Sequence, residues 1–203
     1  MSQSRAPTRM ELLKLQKQRN LAERGHSLLE KKRDALIHTF LEKIETYKDL
    51  KSSVFELLQT AYQKLHLAQA ISGVDVVRSI GQSQSPTFHL RPEVKNIMGV
   101  EVPQFIIEEK NLENKISLIG TSVHVQEARE AFQDVVQKVV RLHELQIVIE
   151  TLAEEIQKTK RRVNSLEYVK IPQMENEEKS IKQHLDEMER ESFTRLKKIK
   201  ERL

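Results

Sequence analysis

The side chains of this chain that could do chemistry are seven histidines and thirty carboxylates, and their spacing argues against an active site. His26, His38, His66, His89, His124, His143 and His184 are scattered singly. His143-Glu144 opens like the zinc motif H-E-x-x-H, but position 147 is isoleucine and the second ligand is missing. With no cysteine there is no thiolate nucleophile, no thiolate metal site and no disulfide framework, which fits a reducing compartment. No G-x-x-x-x-G-K-[ST] cradle for phosphates occurs, and no serine sits in a G-x-S-x-G context. The carboxylates fall into helical charge patterns rather than apolar pockets. The expectation is a non-enzymatic chain without cofactor or metal.

What remains is recognition by charge and by apolar stripes. The net charge of +4 is unevenly placed: residues 1–33 carry nine Lys/Arg against three acids, and residues 190–203 carry six against two. Basic ends on an otherwise slightly acidic chain suit an acidic partner. Six Phe, three Tyr and no Trp leave little bulk for a globular core, and 32% charged residues fits a coiled coil better. The amino terminus shows no apolar stretch of a secretory signal, and no apolar run approaches the roughly 18–20 residues of a membrane span. A soluble, cytosolic chain is expected.

The elements that position these charges are long helices. Ala128, Val135, Leu142, Ile149, Ile156 and Val163 recur every seven residues, with Phe132, Val139 and Ala153 four residues on. No Gly or Pro interrupts residues 121–171. Such a narrow stripe gains most by zipping against another helix. The first 71 residues hold a matching pattern. Thr8 and Glu11 have capping-box spacing. Leu15, Ala22, Leu29 and Leu36 follow seven apart, with Leu21, Leu28 and Ala35 beside them. After a four-residue step the stripe resumes as Phe40, Ile44, Tyr47, Val54, Leu58, Ala61, Leu65 and Ala68, and Gly73 is a C-cap stop.

Between 73 and 120 lie four of the five glycines and three of the five prolines. Val94, Ile97, Val100 and Val102, with Asn96 and Gly99 between, predict a bent hairpin bounded by prolines. Residues 87–90, 105–107 and 115–119 could supply further short elements. The fold class is therefore mainly α: two long antiparallel helices forming a coiled coil, with a small head containing a β-hairpin. Residues 1–71 form the first helix, 72–121 the head and 122–203 the second helix. Pro172 should kink that helix or interrupt its hydrogen bonds. Folding back near the head sets position n opposite about 193 − n, since both helices rise equally per residue. Gly25 then lies opposite about Tyr168, where a missing Cβ allows close approach of the helices. The last ~18 residues should protrude as a single helix of roughly 27 Å.

Four segments, in this order and at these separations, resemble the D subunit of the archaeal and vacuolar-type rotary ATPases. They are Pro7-Thr8-Arg9-Met10-Glu11-Leu12-Leu13; Arg24-Gly25-His26-Ser27-Leu28-Leu29 with Lys31-Lys32-Arg33-Asp34; Asn96-Ile97-Met98-Gly99-Val100; and Arg161-Arg162-Val163-Asn164-Ser165-Leu166-Glu167-Tyr168 running to Ile171-Pro172. The likeness spans essentially the whole chain and implies a rotor shaft (central stalk), counterpart of the gamma subunit of F-type ATP synthases. Its partners would be the F subunit, the catalytic A and B subunits, and the C-subunit socket on the membrane rotor ring. Its place would be cytoplasmic, peripheral to the membrane, with no insertion. The resemblance implies that Arg24, Lys31, Lys32, Arg33, Arg161 and Arg162 contact the catalytic ring. Leu196, Ile199 and Leu203 would form a bearing tip, and Asn96, Ile97, Met98 and Gly99 a regulatory hairpin.

Two other classes share parts of the pattern. Prefoldin-like chaperones or scaffolds also pair two helices across β-hairpins, but in shorter chains of matched helix lengths, without an overhanging basic end. A basic helical arm binding nucleic acid would need more than three tyrosines and no tryptophan to stack bases, so no nucleic-acid partner is expected.

Overall fold

The computed structural model describes residues 8–83, 88–109 and 122–201. Leu203, Thr87 and the 115–119 segment lie outside them. Helix α1 runs Arg9–Ser72, α2 Val74–Ser83 and α3 Val123–Ser165; a π-helical turn, Leu166–Lys170, joins α3 to α4, Ile171–Lys200. Strands β1 (Phe88–Ile97) and β2 (Val100–Glu109) form one antiparallel two-stranded sheet. The fold is mainly α with a small β-hairpin. The chain divides into two compact units, Met1–Ala35 with Ile156–Leu203, and Leu36–Glu155.

In the first unit, α1 starts as the capping box predicts, with the Glu11 N–H donating to Thr8 Oγ1 at 3.2 Å. Leu15 is fully buried, and Ala22 and Leu29 follow it half-buried at seven-residue steps. Antiparallel pairing is fixed by cross-helix polar contacts. Arg9 meets Glu189; Gln16 Nε2 and Arg19 Nη1 both donate to Glu178, at 2.9 and 2.8 Å; His26 Nε2 lies 3.7 Å from Glu167. Partner numbers therefore sum to between 193 and 198, close to the register expected from equal rise. Glu178 is the hub of this seam. Glu178→Gln should lower the unfolding free energy by about 1 kcal/mol, because a charged acceptor for Arg19 becomes a neutral one. Thermal unfolding of the variant measures it.

Just before Pro172 the α-helical hydrogen-bond ladder is interrupted by the π-helical turn, one of the two outcomes the proline predicts. A proline ring collides with the carbonyl four residues back and leaves it without a donor. Here the backbone widens instead: the Ile171 N–H donates to the Leu166 carbonyl, five residues back, while Ser165, Lys170 and Ile171 all keep right-handed helical dihedrals. The inserted residue absorbs the proline and turns Tyr168 outward, 70% exposed.

In the second unit, the rest of α1 pairs with α3. Lys138 Nζ donates to Ser53 at 3.2 Å, and Tyr62 meets Phe132 edge-to-face at 5.5 Å. Leu36, Val54, Ala61, Ala68, Val125, Ala128, Val135, Val148 and Leu152 are buried. Two expected stripe positions fail: Val139 and Ala153 are exposed, while Val148, Leu152 and, in the first unit, Thr159 are buried. Gly73, with φ of 86°, ends α1 as a C-cap should. The amphipathic α2 follows at once, a helix that the glycine-rich spacing does not predict. Its Val77 and Ile80 pack on Ala68, Val125 and Ala128.

The hairpin pairs Ile97 with Val100 and runs to Phe88 with Glu109. Pro92 and Pro103 lie inside the strands, opposite Phe105 and Val94, rather than bounding them. A two-stranded sheet has only edge strands, so a missing N–H facing outward is tolerated.

Candidate functional site

Three groups of surface side chains qualify, each within one compact unit. The first is the basic cluster on α1 and α3. The His26–Glu167 contact and equal helix rise set Lys31, Lys32 and Arg33 level with Arg161 and Arg162, and Arg24 level with the π-helical turn. Arg24, Lys31, Arg161 and Arg162 are exposed, whereas Lys32 and Arg33 are half-buried. Arg33 holds Asp34 through Nε at 3.0 Å and Nη2 at 2.8 Å, and reaches Glu30 at 3.5 Å. The hydrogen bond to Asp34 foremost, with the Coulomb attraction of Asp34 and Glu30, raises the Arg33 pKa further. Its charge is permanent but already answered on its own helix. Arg161 donates to Gln157 at 3.4 Å, a neutral partner that leaves its charge unneutralised.

The second group is the tip. Every side chain from Arg190 to Lys200 is exposed, and Leu196 and Ile199 are 66% and 57% so. Phe193, 73% exposed, stands three residues before Leu196 and extends the same apolar face. It belongs with the tip, and its three-residue spacing was the available signal. Among the described residues the last cross-helix ion pair is Arg9–Glu189, ahead of this exposed stretch.

The third group is the hairpin turn. Met98 and Gly99 form a two-residue loop with φ of 54° and 82°, and the Gly99 N–H donates to Asn96 Oδ1 at 2.8 Å. Two positive φ values make the primed turn that matches strand twist. Met98 is the one non-glycine with positive φ among the described residues. Its sulfur accepts from Thr39 Oγ1 of α1 at 3.5 Å. Further back, Phe105 stacks on His143 at 6.5 Å, and its N–H donates to Glu144 at 3.4 Å. The zinc-motif lookalike is thus a hairpin dock. A cavity of about 500 Å³ with a mixed polar and apolar lining lies between β2 and α3 beside it, lined by Gln104, Ile107, Lys138 and Arg141 among others. Asparagine tolerates a left-handed backbone better than methionine, so Met98→Asn should firm the turn by about 1 kcal/mol. Slower amide exchange at Ile97 and Val100 would show it; faster exchange would mean that the Thr39 contact outweighs the strain.

The close approach expected at Gly25 does not occur. A Cβ there would meet nothing within 4 Å. Ala22, His26 and Leu29 fill the seam, and Gly25 lies one residue off it, while the π-helical turn carries Tyr168 into solvent. Among the described residues no three His, Asp or Glu side chains are placed to hold a metal ion. No helix among them is long and apolar enough to cross a membrane.

Comparisons with known proteins bear on the chain as a whole. The family of the ATP synthase D subunit matches residues 11–201. The chain is 44% identical over 197 residues to the A-type ATP synthase D subunit of Pyrococcus furiosus, covering 96% of this chain and 92% of that one. It is 43% identical over 200 residues to the protein of the same name from Archaeoglobus fulgidus, covering 96% and 95%. For the Methanopyrus kandleri protein of that name the identity is 40% over 197 residues, covering 96% and 85%.

Proposed function

The chain belongs to the ATP synthase D-subunit family, and from that premise we propose that it is the non-catalytic central rotor shaft of an A-type ATP synthase. Its rotation couples ATP synthesis or hydrolysis in a ring of A and B subunits to proton or sodium transport. The F subunit and a C-subunit socket on the membrane rotor ring are its other partners, and it lies on the cytoplasmic side, peripheral to the membrane. The observation that carries this reading is the overhang of α4. The cross-helix contacts of the first unit reach Arg9–Glu189, yet α4 continues to Lys200 with Phe193, Leu196 and Ile199 exposed on one face.

An exposed apolar helix end needs a cover, and a bearing formed by the ring supplies one. The basic cluster then meets carboxylates on the ring's moving segments, so that a shaft with a different face on each side sets which catalytic interface is open. Two paired helices resist twisting better than one, which torque transmission requires. The hairpin, docked on α1 and α3 by Met98 and Phe105, modulates turnover. The test is co-purification of a tagged chain from its own cells, with mass spectrometry and a magnesium-dependent ATPase assay. Recovery of A, B and F subunits with hydrolysis is the expected result. Heterogeneous unfolded clients and no hydrolysis would overturn it in favour of a chaperone.

A further inference from the structure

Gly25 weakens α1, and among the described residues no neighbour needs its missing side chain. Its backbone is helical, a Cβ would meet nothing within 4 Å, and glycine shifts the local folding equilibrium about fivefold against the helix relative to alanine. Leu21 and Leu28, four residues before it and three after, lie on the same face and are 72% and 67% exposed. Two large leucines left in water around a missing side chain make a notch, apolar at its walls and open at its floor. Glycine is the residue used where another chain must come close to a backbone.

The surroundings say what comes. Residues 21–35 and 161–171 together carry seven Lys/Arg against four acids, and Arg24, Lys31, Arg161 and Arg162 among them are exposed. An acidic surface is attracted there, and a basic one repelled. We propose that Leu21, Gly25 and Leu28 form a socket for one apolar side chain carried on a carboxylate-flanked segment of the A/B ring. This deepens, and rests on, the rotor reading above. The carboxylates steer the segment by long-range attraction to the basic cluster, and the notch fixes its height along the shaft. Charge alone cannot do that, because attraction between solvated charges falls off gently with displacement whereas apolar contact is lost within a side-chain width.

Gly25→Leu fills the notch, and Leu21→Ser with Leu28→Ser removes its walls. Both variants are assayed as full chains, first for thermal unfolding and then for capture by reconstituted A/B ring and for magnesium-dependent hydrolysis. Gly25→Leu should unfold at a temperature at or above that of the native chain while its affinity for the ring falls at least tenfold. The double serine variant should lose affinity similarly, and the loss should be insensitive to salt, unlike that of a charge variant. If the native chain binds the ring and both variants bind within twofold of it, the socket is disproved and the rotor reading stands. If the native chain does not bind the ring, both fail together.

Discussion

Reversing Arg161 and Arg162 together to glutamate weakens capture by the catalytic ring about a hundredfold at low salt, and lowers coupled turnover in proportion. Close charge pairs across protein interfaces contribute about 1.5 kcal/mol or more each, so two lost attractions amount to roughly 3 kcal/mol before any new repulsion. Both side chains are exposed, and Arg161 donates to a neutral glutamine on its own helix. The isolated chain should therefore unfold within about 0.5 kcal/mol of the native one. That separation of effects is the point of the experiment: binding is lost while folding is kept. Raising the salt shortens the Debye length from about 10 Å at 0.1 M to about 3 Å at 1 M, so the gap between variant and native chain should narrow. Charge-neutral Arg161→Gln with Arg162→Gln should fall between the two. Unchanged coupled hydrolysis in the double reversal would remove these arginines from the ring contact. Arg33 is a poorer target despite its sequence context, because Asp34 and Glu30 already hold it.

How far such residues could be found from sequence depends on which forces place them. Antiparallel pairing and its register were legible because helix rise is fixed, so one turn-around point sets every partner: Arg19 with Glu178 and His26 with Glu167 fall within a few residues of it. The seam of α1 was legible as well, from Leu15 and Leu36. On α3 the apolar stripe misled. The second seam position lies four residues on at Phe132 but three on at Leu152 and Thr159, leaving Val139 and Ala153 in water. The π-helical turn was not legible, since Pro172 announces a conflict without saying how the backbone resolves it. Met98 was visible as a turn residue, but its contact with Thr39 depends on where the hairpin docks, which no local pattern encodes. Gly25 shows the same limit from the other side. His26 beside Glu167 brings it near the level of Tyr168, and the structure adds that a Cβ at Gly25 would meet none of the described residues within 4 Å.

At the other end of the first unit, Leu196→Asp with Ile199→Asp should abolish stable assembly with the ring, a loss of at least about a hundredfold. Burying a leucine or isoleucine side chain contributes about 1.5–3 kcal/mol. Removing two such contacts from one bearing therefore leaves little even after the costs of association are discounted. The chain by itself should not notice. Both side chains are more than half exposed, and every described residue from Arg190 onward is exposed. Helix content and unfolding temperature should stay native, since aspartate in an exposed turn costs only about 0.7 kcal/mol of helix propensity or less per site. Phe193→Ala, which trims the same face without adding charge, should give a smaller loss in the same direction. The pattern to look for is functional loss with thermal stability intact. The opposite pattern, lowered stability with assembly preserved, would mean that these side chains pack within the chain in solution, and the bearing would have to be sought elsewhere on the shaft.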